Sequence, residues 1–165
     1  MNSSSKKIVT SYDDLTYKII GCAMSVHRSL GPALREDRYQ KALAMSLQDQ
    51  GLNFEAQKLY AVYDDPEQQR LVGYYIPDFL VEAAVIVEIK ALHGLDNSHL
   101  AQVISYLAIS GCPIGLLINF GERSLRYRRI FPPKKISEHL INRQWLFVPD
   151  WLKDDLSATS NKHLH

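Results

Sequence analysis

Three residues whose types can do chemistry together lie in one apolar stretch, PDFLVEAAVIVEIK (77–90): Asp78, Glu88 and Lys90. A buried strand ordinarily avoids such groups. Side chains on a strand alternate faces, so over 84–90 Glu88 and Lys90 share a face with Ile86, opposite Val85, Val87 and Ile89. A hairpin turning at Glu82-Ala83-Ala84 and centred on Ala83 sets Asp78 opposite Glu88, with Cβ atoms about 5 Å apart. A loop one residue shorter or longer moves Asp78 to the other face.

Two opposed carboxylates destabilise a hairpin unless something neutralises them. Lys90 offsets part of the repulsion, and a divalent cation offsets more. Hard oxygen ligands select Mg²⁺, Mn²⁺ or Ca²⁺ rather than zinc, and the main-chain carbonyl of Ile89 is a further candidate ligand. Such a site suits phosphodiester hydrolysis: the metal lowers the pKa of a bound water and polarises a phosphoryl oxygen. The lysine positions that water or stabilises charge developing on phosphorus. The same spacing also fits a solvated hairpin face carrying a surface ion pair, worth about 0–1 kcal/mol. Spacing alone does not choose between the two.

The elements that must position these residues follow from periodicity. Leu15, Ile19, Cys22, Val26 and Leu30 recur at helical spacing, with Asp13 or Asp14 as a cap and Gly31-Pro32 as the stop. A second helix is expected from about Leu34 to Gln50. Strands are expected over 54–65, 70–81 and 84–90, from their alternation and their Val, Ile, Tyr and Phe content. A helix follows over 98–110, then a buried strand over 113–120 and a last strand over 124–130. The order is α, α, β, β, β, α, β, β, a mixed α/β fold.

Composition bounds the function classes. The chain has 165 residues, is 46% hydrophobic and 22% charged, and carries a formal charge of +1. One domain of ordinary size accounts for it, and no global field points to nucleic acid or membrane. No stretch is apolar and long enough to span a bilayer, and MNSSSKKIVTSYDD lacks the apolar core of a secretory signal. Cys22 and Cys112 form no CxxC pair and read as buried thiols in a reducing cytoplasm. A flexible segment is expected over 1–11. RQWLFVPDWL (143–152) belongs to an extension, 132–152, that packs back on the domain, and 153–165 reads as a disordered tail.

Pro77-Asp78 followed by Glu88-Ile89-Lys90 resembles the motif of the PD-(D/E)xK nuclease superfamily. Its restriction-endonuclease-like core of a helix, three strands, a helix and a strand (αβββαβ) matches the order read from residue 34 to 120. A closer resemblance is to the small bacterial GxxExxY family, over roughly residues 12–131. It is carried by LTYKIIGCAMSVHRSLGPALREDRYQKAL (15–43) and by GYYIPDFLVE, VIVEIKA, HLAQVISYL and GLLINFG within 73–121. Ala33 replaces the signature glycine and Ala83 the hairpin glycine, while Glu36 and Tyr39 are kept. The resemblance implies that Asp78 and Glu88 bind Mg²⁺ or Mn²⁺ and that Lys90 assists catalysis. Glu36 resembles the additional acid, and Gln102 the helix glutamine, that some of these nucleases bring to the site. It implies nucleic acid as partner, DNA ahead of RNA, and is compatible with a homodimer. A nuclease-like binding or interaction module without turnover is the alternative.

Other candidates have bland readings beside functional ones. His99, Gln102 and Tyr106 share a helical face, which either meets the site or is solvated. Tyr39 reads as half-buried packing and His27 as capping or packing; His93 lies in the loop after Lys90. Arg126 and Arg128 share a strand face within a basic stretch that runs from Arg123 to Lys135. They either track a phosphate backbone or keep an edge strand from aggregating.

Overall fold

The computed structural model describes residues 12–63, 67 and 70–133. The expectations for residues 1–11, 132–152 and 153–165 therefore fall outside the described residues, apart from Pro132 and Pro133. Helices α1 (Asp13–Leu30) and α2 (Glu36–Asp49) come first. Strands β1 (Phe54–Ala56), β2 (Tyr60–Tyr63), β3 (Leu71–Tyr75), β4 (Phe79–Val81) and β5 (Val85–Lys90) follow. Helix α3 (Asn97–Ser110) and strands β6 (Ile114–Asn119) and β7 (Arg126–Ile130) complete the elements of the described residues.

The main sheet has the order β1-β4-β5-β6-β7, with β5 and β6 parallel and the other pairs antiparallel. One face, with Val85, Val87, Ile89, Ile114, Leu116 and Ile118, packs on α1 and α2. The other, with Ile86 and Leu117, packs on α3 through Val103 and Leu107. β6 is buried along its whole length, which explains its unbroken apolar sequence.

Two expected strands are each divided. Residues 54–65 break at Gln57, whose φ of 58° is left-handed and cannot continue a strand. Residues 70–81 break at Pro77, which has no N–H to give to a ladder. The pieces β2 and β3 leave the main sheet as a two-stranded sheet of their own, tied to α3 by Val62 and Tyr75. With that excursion set aside, α2-β1-β4-β5-α3-β6 is the αβββαβ order, a mixed sheet flanked by helices.

The β4–β5 hairpin has the register on which the opening geometry depends. Phe79 pairs with Val87, Leu80 with Ile86 and Val81 with Val85, so the turn is centred on Ala83. Glu82 (φ 49°) and Ala83 (φ 53°) both adopt positive φ, as a type I′ turn requires. Asn53, just before β1, holds this turn: Glu82 N–H donates to Asn53 O at 2.8 Å, and Asn53 N–H to Glu82 Oε1 at 2.7 Å.

Candidate active site

Pro77 ends the β4 ladder, and the two acidic side chains take over where main-chain pairing stops. Asp78 Oδ2 accepts from Ile89 N–H at 2.7 Å, and Glu88 Oε1 accepts from Asp78 N–H at 3.2 Å. Each carboxylate thus commits an oxygen to an amide that would otherwise be orphaned. Asp78 is 9% exposed and Glu88 5%. That burial removes the reading of a solvated hairpin face with a surface ion pair.

Burial is the main force on both carboxyls. It lifts Asp78 from the usual 3.8 to about 6, against the lowering effects of the Ile89 N–H and of Lys90. It lifts Glu88 well above the usual carboxylate range, and the charge of Asp78 adds to the shift while Lys90 opposes it. Glu36 sits in the first turn of α2. Desolvation raises its carboxyl, Lys90 lowers it, and its charge in turn raises Asp78 and Glu88. Asp78, Glu88, Lys90 and Glu36 therefore form one electrostatic cluster.

The loop before Glu36 is fixed by Tyr39. Its hydroxyl donates to Gly31 O and accepts from Leu34 N–H, the latter at 3.1 Å. Its ring stacks on Phe120 with centroids 4.6 Å apart. Tyr39 is fully buried rather than half-buried, and its part is to position the helix that presents Glu36. His27 packs as expected, with Nε2 donating to Glu122 O at 2.9 Å.

Gln102 donates to Tyr106 Oη at 2.6 Å. Tyr106 stacks on Tyr75 at 4.0 Å, and Tyr75 on Tyr60 at 5.0 Å. Gln102 is thus tied to the Tyr106–Tyr75–Tyr60 stack, and the hydrogen bond it makes is to Tyr106. The Tyr75 hydroxyl is fully buried without a hydrogen-bond partner among the described residues. Burial raises it furthest, and the nearby charge of Glu88 adds to the effect. His99 caps its own helix, accepting from Asp96 N–H at 3.0 Å through Nδ1.

Arg126 and Arg128 are both exposed on β7, an edge strand. Register places them on the face of Glu88 and Lys90: Lys90 pairs with Asn119 and Asn119 with Arg126, while Glu88 pairs with Leu117 and Leu117 with Arg128. Adjacent strands lie about 4.8 Å apart, so each arginine stands about 10 Å across the sheet from its row-mate on β5. Arg126 is loosely held, 3.8 Å from Glu122. Arg129 points the other way and is bound to Thr16 Oγ1 at 2.9 Å.

Asn119 is a residue that motif reading passed over. It is fully buried. Oδ1 accepts from Leu92 N–H at 2.9 Å and Gly121 N–H at 3.2 Å, while Nδ2 donates to Leu92 O and Glu122 Oε2, both at 2.9 Å. It joins the loops that leave β5 and β6 beside Lys90. Its signal was a lone amide in the apolar run GLLINFG. Tyr75 and Tyr106 carried no comparable signal, because their stack depends on a sheet that sequence did not separate.

The donor set fits a hard divalent cation. Among the described residues no group of three or more His, Cys, Asp or Glu side chains could hold a metal by itself. Two carboxylates completed by main-chain oxygen, water and substrate are what Mg²⁺ favours. Zinc prefers nitrogen and sulfur, which this cluster does not offer.

No curated protein matches the chain closely enough to count as a relative. Solved structures that match the chain include two at low identity. The crystal structure of SSO0001 is 15% identical, with a TM-score of 0.49, over 90% of this chain and 76% of that one. An alkaline exonuclease (LHK-Exo) from Laribacter hongkongensis is 12% identical, with a TM-score of 0.38, over 89% of this chain and 97% of that one. The decisive comparison is with families: a family model of the PD-(D/E)XK nuclease superfamily matches residues 13–130, most of the chain. With Pro77-Asp78 and Glu88-Ile89-Lys90 converging at the end of its hairpin, the chain belongs to the PD-(D/E)XK nuclease superfamily.

Proposed function

We propose that the protein is a divalent-metal-dependent nuclease of GxxExxY type that hydrolyses phosphodiester bonds, in DNA ahead of RNA. The observation that carries this is the pair of buried carboxylates interlocked through Ile89 N–H and Asp78 N–H beside Lys90. Two acids raised by burial, Glu88 further by the charge of Asp78 and Asp78 by that of Glu36, are a preorganised demand for positive charge.

Asp78 and Glu88 hold the cation, Mg²⁺ or Mn²⁺, with the Ile89 carbonyl as a further ligand. Once bound, such an ion supplies Lewis acidity and a more acidic water. Lys90 donates a hydrogen bond to the attacking water, or holds the charge that grows on the phosphoryl oxygens. Glu36 takes a proton or steadies a second water, and Gln102 supports the face through Tyr106. Arg126 and Arg128 track the phosphate backbone across β6.

Metal titration followed by thermal unfolding tests the site. At about a hundred times Kd, Mg²⁺ or Mn²⁺ should add about 2.7 kcal/mol to stability, and Asp78→Ala should abolish the gain. Absence of metal stabilisation in the wild type, with Asp78→Ala indistinguishable from it, favours a binding module without turnover.

A further inference from the structure

A cleft of about 550 Å³ opens beyond the carboxyl ends of β5 and β6, lined by Pro32 and Ala33, by His93, and by Gly121 to Ser124 with Arg126. Ligands in open α/β sheets bind outside the carboxyl ends of strands, and the volume suits a small ligand. The cleft adjoins the carboxylate cluster. Ala91 follows Lys90 in the chain, and Asn119, the β6 partner of Lys90, lies two residues before Gly121.

Its walls are rigid. Asn119 bridges Leu92 to Glu122, and a Cβ on Gly121 would stand 2.3 Å from Leu92 O, so at Gly121 the two loops pack backbone against backbone. Its charge is not balanced. Glu122, the acid in the lining, already accepts from Asn119 at 2.9 Å and lies 3.8 Å from Arg126. Arg123 is exposed and makes no ion pair among the described residues. Ser124 adds a hydroxyl, and Pro32 and Ala33 offer apolar surface to a sugar or base.

We infer that this cleft is a phosphate site distinct from the carboxylate cluster, in which Arg123 and Arg126, with the Ser124 hydroxyl, hold a phosphate group adjacent to the one being cut. The inference rests on the nuclease reading for its ligand. The same chemistry would accept the phosphate of a released mononucleotide. Arginine suits the task because its planar fork matches phosphate oxygens. Anchoring a neighbouring phosphate fixes the register of the strand over Lys90, a gain in positioning rather than in chemistry.

The test is binding of a short fluorescein-labelled single strand, read by anisotropy in EDTA so that nothing is cut, over a salt series. Arg123→Gln should weaken binding about five- to tenfold and lower the slope of log K against log salt by about one. Arg28→Gln, the same charge change on an exposed α1 position outside the cleft, should stay within about twofold. Displacement of the strand by adenosine monophosphate or inorganic phosphate, lost in Arg123→Gln, assigns the cleft to an isolated phosphate. No displacement, with the Arg123→Gln loss intact, assigns it to a flanking phosphodiester. Wild type that does not bind, or equal effects of Arg123→Gln and Arg28→Gln, overturns the inference. Metal-dependent cleavage with KM unchanged in Arg123→Gln sinks the cleft and leaves the nuclease; Arg123-dependent binding without any cleavage does the reverse.

Discussion

Asp78 and Glu88 answer to strand pairing before they answer to chemistry. Each accepts from a main-chain N–H of the facing strand, just past the last paired residues of the hairpin. This arrangement holds the acids in place while burying them, and burial has a consequence for stability. A carboxyl whose folded pKa lies above its unfolded value favours the folded state when protonated. For Asp78 that contribution is complete below the usual 3.8 and is lost as pH rises through about 6. Without divalent metal, the protein should therefore lose stability between about pH 4 and pH 7. Asp78→Asn, which can still accept from Ile89 N–H, should flatten that fall and add about 1–3 kcal/mol at neutral pH. Thermal unfolding of both proteins in EDTA across this range is the check; parallel curves would refute the electrostatic account. Sequence parity placed these side chains on one face, but their burial was not legible there, because it depends on α3 and the β2–β3 excursion.

At the scale of elements, the hairpin and the loop junction carry the geometry. Ala83 sits at φ 53°, where an L-residue costs about 1–2 kcal/mol. Ala83→Gly relieves that strain and adds freedom to the unfolded chain, for a net gain of about 0.5–1 kcal/mol. Urea unfolding should show the higher midpoint, and a lower one would mean that the turn needs its methyl group. Asn119 is the opposite case. Asn119→Ala leaves Leu92, Gly121 and Glu122 without their shared partner and should cost about 2–4 kcal/mol. A loss under about 0.5 kcal/mol in the same measurement would mean that water replaces the amide without penalty. The hairpin register was legible because strand parity and a short turn left few choices. The division of 54–65 was not, since glutamine at position 57 announces no turn. Pro77 did announce one, and read as a ladder break it would have separated β3 from β4.

Across the whole molecule, a charge of +1 hides an uneven distribution. Arg126 and Arg128 lie in register with Lys90 and Glu88, on one face of the sheet. Arg129, in the same basic run, is taken up by Thr16 of α1. The run alone could not show this division, since it needs the strand to be assigned and its partner known. Among the described residues no helix is long and apolar enough to cross a membrane. The overall αβββαβ order was legible because its helices and buried strands have strong, distinct periods. The central claim is that Asp78, Glu88 and Lys90 make a metal-dependent phosphodiesterase centre. Its most direct test is cleavage of single-stranded, double-stranded and branched DNA, with matching RNA, by wild type and Lys90→Ala purified side by side. The account predicts cleavage that requires Mg²⁺ or Mn²⁺ and falls at least about 100-fold in Lys90→Ala; equal cleavage by both proteins, or none by the wild type on any of these substrates, would contradict it.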